Sequence, residues 1–176
     1  MRDTHRRLSH SLPTNRGEND MRVPTLLAAA FVLVLAAIAP ARADCTAPEI
    51  RSDIAAQWKD GNGNLRWPPN DGAAGAITPV VLAPGMILDR FGCEGGNYFS
   101  PRGTAFAARA LPYVCATAPY YTYRVTRPLL AWTAKAAPWF DQKGGATQFQ
   151  TDASVAQLLA DGVIEAVKAD RLACGK

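Results

Sequence analysis

The sequence predicts an α+β domain, richer in strand than in helix and braced by two disulfides. Three observations predict it. From Val80 onward, β-branched and aromatic runs alternate with Pro/Gly turns. A single stretch, Val155 to Val163, carries apolar residues at helical spacing. All four cysteines follow a leader of the secretory type, and an even number in an oxidising compartment implies two bridges.

The leader comes first. Residues 1–20 show no apolar periodicity, precede a second methionine (Met21), and read as an upstream extension outside the fold. Residues 21–43 open with Arg22, run apolar from Leu26 to Ile38 and end in Ala-Arg-Ala, the pattern of a cleaved signal peptide. The apolar run is short for a membrane span and Pro40 breaks it. The expected mature chain starts near Asp44 and is secreted or periplasmic, free of the membrane after cleavage. Its 133 residues suffice for one domain.

Removing the leader changes the chemistry on offer. Of the 19 basic and 15 acidic side chains, 13 and 12 remain, a net charge of +1, so the basic pI gives little support to a nucleic-acid surface. Both histidines, His5 and His10, lie in the leader. With the cysteines paired and no imidazole, histidine-based triads and dyads drop out, as do His/Cys zinc sites.

Residues 44–78 read as an irregular arm. "KDGNGNLRWPPNDGAAG" is a succession of turns, with Trp58 and Trp67 as anchors expected to pack on the main body. "DGNGN" is too short for a calcium loop and lacks the distal Glu. The domain proper is expected over 79–176. "VVLAPGMILDRFG" turns at Pro84-Gly85 and continues as a strand, Met86–Phe91. "NYFSPRGTAFAARALP" supplies a short strand or loop, a turn, and an Ala-rich helical turn ending before Pro112. "YYTYRVTR" alternates as a strand that Pro128 ends, and a further strand runs over Leu129–Ala134. Gly144-Gly145 turns the chain into Thr147–Gln150. Val155, Leu158, Leu159 and Val163 form a helix capped by Asp152 or Ser154 and stopped by Gly162. "VIEAV" closes the domain as a last strand. Four cysteines allow three connectivities. Cys45 and Cys174 lie near the chain ends and Cys93 and Cys115 in polar loops, so the expected pairs are Cys45–Cys174 and Cys93–Cys115.

"LAPGMILDRFG", "GNYFSPRGTAFAARALP", "APYYTYRV", "APWFDQKGGATQF" and "SVAQLLADGVIEAV" occur here in one order over about residues 79–168. In that order and spacing they resemble the domain typified by the tuberculosis necrotizing toxin, which is similar in turn to secreted fungal NAD glycohydrolases. The resemblance implies a compact fold related to ADP-ribosylating toxins. It also implies hydrolysis of NAD or NADP to nicotinamide and the ADP-ribose product, with the dinucleotide as substrate; no cofactor and no metal ligand is singled out in the sequence. Residue by residue, it places Arg90 and Phe91 at the NAD site, Tyr98 at an aromatic position and Gln148 at the active-site glutamine. Toxin members read "PYHxY" where this chain reads "PYYTY", which puts Tyr121 in the histidine position and leans the chain toward the fungal variety.

The residue chemistry agrees with that reading. Most glycosidases need two carboxyl groups, and Asp89, Glu94, Asp141 and Glu165 show no useful paired spacing. NAD is a special case, because its pyridinium departs as a neutral molecule and needs no general acid. What remains is to stabilise the ribosyl cation and place a water. Gln148 can donate one hydrogen bond and accept another there. Arg90 and Arg109 are candidates for the pyrophosphate. Phe91, Tyr98 and Trp139 could offer ring faces to the bases, with Tyr121 a further substrate contact. Ordinary readings compete: Trp139-Phe140 as core, and Arg90 as a solvated strand residue paired with Asp89. Two other classes stay open: a protein ADP-ribosyltransferase using Glu165, and a non-catalytic NAD-binding or envelope module. An inhibitor protein in the producer and a toxin role are expected if the chain is a toxin.

Overall fold

The computed structural model describes residues 45–171 and 174. The extension and the signal peptide lie outside the described residues. Seven strands form one antiparallel sheet: β1 (Thr78–Leu82), β2 (Ile87–Phe91), β3 (Tyr98–Pro101), β4 (Tyr120–Val125), β5 (Leu129–Lys135), β6 (Thr147–Gln150) and β7 (Ile164–Ala166). The spatial order is β1-β5-β6-β3-β2-β4-β7. One helix, α1 (Val155–Ala160), covers part of one face. Ser154 caps it by accepting the Gln157 N–H at 3.2 Å. The Ala-rich turn before Pro112 is a 3-10 turn, Phe106–Arg109. β1 is an addition to the expected strands. Its "TPVVL" carries Pro79 in second place, which an edge strand tolerates.

The two faces of the sheet differ, and the alternation of each strand decides which residues go where. Leu82, Leu88, Phe99, Tyr123, Val125, Leu129, Ala131 and Phe149 turn to one face. They pack there with Val155 and Leu158 of α1 and with Ile164 as the main core. The opposite face carries a smaller cluster of Phe91, Phe106 and Ala118. It also carries Asp89, Ser100 and Thr122, which the register sets side by side.

The register also shows where the sheet opens. β2 and β3 pair only at Leu88↔Pro101 and Asp89↔Ser100. Beyond that point Arg90 and Phe91 stay paired with β4, while Tyr98 and Phe99 pair with β6. The two strands splay, and a cleft opens between them.

The arm is bound to this body. Trp58 packs tilted against Trp139 with ring centroids 4.6 Å apart, and Trp67 meets the buried Phe140 edge-on at 5.6 Å. Trp139 Nε1 donates to the Arg66 carbonyl at 2.7 Å. The "DGNGN" loop is closed by Asp60, whose Oδ1 accepts from the Asn62 and Asn64 N–H groups, both at 2.9 Å.

The disulfides correct the expected pairing. Cys45 joins Cys93, and Cys115 joins Cys174, at Cα separations of 5.6 and 5.8 Å. Cys45–Cys174 and Cys93–Cys115 therefore do not form, because each chain end runs to a different loop. The arm passes beside the end of β2, where Pro48 lies against Gly92 and Ile50 bridges Tyr113. The tail past β7 returns along β4: Val167 donates to the Thr122 carbonyl at 2.9 Å, and Arg171 donates to the carbonyls of Ala118 and Cys115.

Candidate active site

The cleft between β2 and β3 deepens into a cavity of about 560 Å³, within the range of small-molecule sites. Arg90, Phe91, Tyr98, Arg109 and Gln148 all line it. They come from β2, β3, the 3-10 turn and β6, so only the folded sheet brings them together. Tyr121 and Trp139 are not among the lining residues. Tyr121 packs on the main core beside Tyr123, at 6.4 Å between ring centroids, and Trp139 anchors the arm as described above.

Arg90 belongs by register to the core face of β2, opposite Tyr121. Its guanidinium reaches the cleft because the strands splay. Nε donates to the Gly92 carbonyl (3.3 Å) and Nη1 to the Tyr98 carbonyl (3.4 Å), spanning the gap. The described ion pairs are Arg51–Asp53, Arg109–Asp89 and Arg124–Glu165, and Arg90 is in none of them. It is 8% exposed. Burial pulls its pKa below the ordinary guanidinium value, against the opposing influence of Tyr123, Tyr113, Glu94 and Tyr121. A charge held with so little hydration favours an incoming anion strongly.

Arg109 is differently placed. Its Nη2 lies 2.5 Å from Asp89 Oδ1 and 2.8 Å from the Thr104 carbonyl, and its Nε donates to the same carbonyl at 3.1 Å. Asp89 is fully buried, and its Oδ2 accepts from Tyr120 Oη (2.8 Å) and the Gly103 N–H (3.0 Å). The guanidinium carbon lies over the Phe91 ring, 5.2 Å from its centroid. Phe91 also meets Phe106 and Tyr120 at 4.8 and 4.9 Å. Arg109, Asp89 and Phe91 thus form one buried assembly that hardens the floor of the cleft. Burial, reinforced by the hydrogen bond to Asp89, raises the Tyr120 phenol above its ordinary pKa and keeps it a donor.

Gln148 stands on β6 opposite Ala134. Nε2 donates to the Asp71 carbonyl at 3.0 Å. That partner sets the orientation of the amide, and Oε1 accepts no hydrogen bond among the described residues. Tyr98, 37% exposed, stands at the mouth, with its phenol pKa raised by burial and by Asp71.

The residues that sequence reasoning missed are those of the arm. Trp67, Pro68, Asn70, Asp71 and Gly72 close one side of the cavity, and Ser100 and Tyr113 complete others. The signal in the sequence was the turn-forming "PPNDG", legible as a turn and silent about what it would cover. Among the described residues, no group of three or more His, Cys, Asp or Glu side chains is placed to hold a metal ion.

The chain is similar to known proteins over much of the described region. Residues 81–167 match the family model described as tuberculosis necrotizing toxin. The conidial surface nicotinamide adenine dinucleotide glycohydrolase of Aspergillus fumigatus is 34% identical over 116 residues, covering 58% of this chain and 50% of that protein. The solved structure of tuberculosis necrotizing toxin, complexed with its immunity factor, superposes with a TM-score of 0.51 at 24% identity, over 61% of this chain and 65% of that one. The chain therefore spans about half the length of the curated relative and under two thirds of the solved toxin, and the second likeness speaks for the fold. Residues 81–167, the segment that builds most of the splayed sheet and of its cleft, are thus similar to the tuberculosis necrotizing toxin family.

Proposed function

We propose that the protein is an NAD(P) glycohydrolase, cleaving the bond between nicotinamide and ribose. The observation that carries the reading is the convergence of Arg90, Tyr98 and Gln148 on one cavity of about 560 Å³. The glycohydrolase named above, matched over 58% of this chain, supports it. In this reading Arg90 binds the pyrophosphate, and Phe91 and Tyr98 flank the nicotinamide ribose. Gln148 holds the reacting centre through its open Oε1, accepting from a ribose hydroxyl or from the attacking water. The C1′–N1 bond breaks with its electron pair passing to the ring, which leaves uncharged. Water adds to the ribosyl cation and releases its proton to solvent. No step asks for a general acid, which suits a domain without histidine.

Glu165, the candidate for a transferase glutamate, pairs with Arg124 at 2.6 Å on the β4–β7 edge and is not among the cavity residues. Nothing in the site favours that second reading. Secretion, a toxin role and a guarding inhibitor protein belong to the same proposal. The toxin structure with an immunity factor supports the last of these by analogy of fold. Incubation of the folded, oxidised protein with NAD should release nicotinamide and ADP-ribose. Absence of turnover above buffer would remove the enzyme reading.

A further inference from the structure

Asp71 is the one carboxylate among the residues lining the cavity. It comes from the arm, outside the matched 81–167 region. Its backbone is left-handed (φ 50, ψ 30), as is that of Asn70 (φ 53), a conformation in which Asp and Asn are the best tolerated of the side-chain-bearing residues. Several contacts hold it there. Asn70 Nδ2 donates to the carbonyls of Ala73 (3.3 Å) and Gly75 (3.0 Å). Ala137 donates to the Gly72 carbonyl at 2.7 Å, and Gln148 Nε2 to that of Asp71. The main chain is pinned, yet the carboxylate itself has no hydrogen bond or ion pair among the described residues. It is exposed, and its charge is felt by the Tyr98 phenol across the mouth.

We propose that Asp71 is a substrate-contacting carboxylate that faces the nicotinamide-ribose end of the dinucleotide. The inference rests on the glycohydrolase reading and deepens it. The substrate is charged unevenly: an anionic pyrophosphate at its middle and a cationic pyridinium at the scissile end. The cavity is charged unevenly too, with the Arg90 guanidinium on the β2 lip and the Asp71 carboxylate beside Gln148 and Tyr98. Matching the two orients the substrate one way round. As the bond breaks, positive charge passes from the departing ring to the ribosyl carbon. A fixed negative charge there stabilises the transition state more than the ground state. The same carboxylate can accept a ribose hydroxyl. An arm contributed from outside the family region would therefore supply the acid that the sheet residues lack.

Asp71→Asn keeps the shape and the left-handed backbone while removing the charge. In the full oxidised protein it should lower kcat by about ten-fold or more with an unchanged melting temperature. It should also lower the preference for carba-NAD, uncleavable and cationic at its nicotinamide ring, over NADH, whose ring is uncharged, measured as a ratio of dissociation constants. A purely structural role would leave that ratio in place. Asp71→Gly removes side chain and backbone strain together and should show the same losses. Wild-type kcat and an unchanged ligand ratio in both variants would overturn the role of Asp71 while leaving the glycohydrolase intact. A wild-type protein that neither cleaves NAD nor binds carba-NAD would overturn both.

Discussion

Gln148 owes its orientation to a single acceptor, the Asp71 carbonyl at 3.0 Å, and this makes the amide a fixed tool. Gln148→Ala should lower nicotinamide release roughly 100-fold, the usual cost of losing a preorganised polar group at a reacting centre. Its thermal midpoint should change little, since the side chain is only half-buried. Retention of wild-type rates would show that another residue does the work. Arg90 offers a second test without touching its own side chain. A Cβ on Gly96 would sit 2.4 Å from Arg90 Nη2 and 2.8 Å from Nη1. Gly96 has no positive φ, so Gly96→Ala should fold normally and push the guanidinium out of place. KM for NAD should then rise at least several-fold in steady-state assays while the unfolding midpoint stays near wild type. An unchanged KM would mean that the guanidinium position is not critical for binding.

At the scale of the elements, the turn before β6 decides where Gln148 stands. Gly144 and Gly145 both have positive φ, 65° and 83°, yet their surroundings differ. A Cβ on Gly144 would lie 2.6 Å from Pro138 N and 2.7 Å from the Ala136 carbonyl oxygen, both backbone atoms that cannot step aside. One on Gly145 would meet open space. Gly145→Ala should therefore cost about 1 kcal/mol, the strain of a left-handed residue. Gly144→Ala should cost about 3 kcal/mol or more, because overpacking adds to that strain. Chemical denaturation of the two variants measures the difference, and equal losses would contradict this account. The splay of β2 from β3 is the other element-level device. Two residue pairs hold the strands together, and the Asp89–Arg109 pair sits at the point of divergence, so the cleft is built into the sheet.

Over the whole molecule, the two disulfides fasten the arm and the tail beside the same site. Cys45–Cys93 ties the arm to the loop that grips Arg90. Cys115–Cys174 ties down the tail, whose Arg171 lies 5.7 Å over the Phe91 ring. The double variant Cys45→Ala/Cys93→Ala should lose about 2–4 kcal/mol of stability, as expected for the loss of a long-loop crosslink. At a temperature where it is still folded, it should show a raised KM, because the arm carrying Trp67 and Asp71 is less restrained. A double variant with the stability of the parent would show that packing of Trp58 and Trp67 alone secures the arm.

Local chemistry was legible in the chain itself. The period-2 runs announced β2, β4, β5 and β6, the helical spacing with Ser154 announced α1, and the five ordered blocks pointed to Arg90, Tyr98 and Gln148. Each of these depends on neighbours a few residues away or on a pattern carried in the chain. That Arg109 and Phe91 belong to one buried assembly at the floor of the cleft was not legible, since their partners, among them Asp89 and Phe106, lie far from them in sequence. Nor could the sequence choose among three disulfide connectivities. That choice depends on where the arm and the tail run across the sheet, a matter of long-range packing that no spacing of cysteines encodes. The same holds for Asp71: its sequence says turn, and only the closing of the arm over β6 turns a loop carboxylate into part of a cavity.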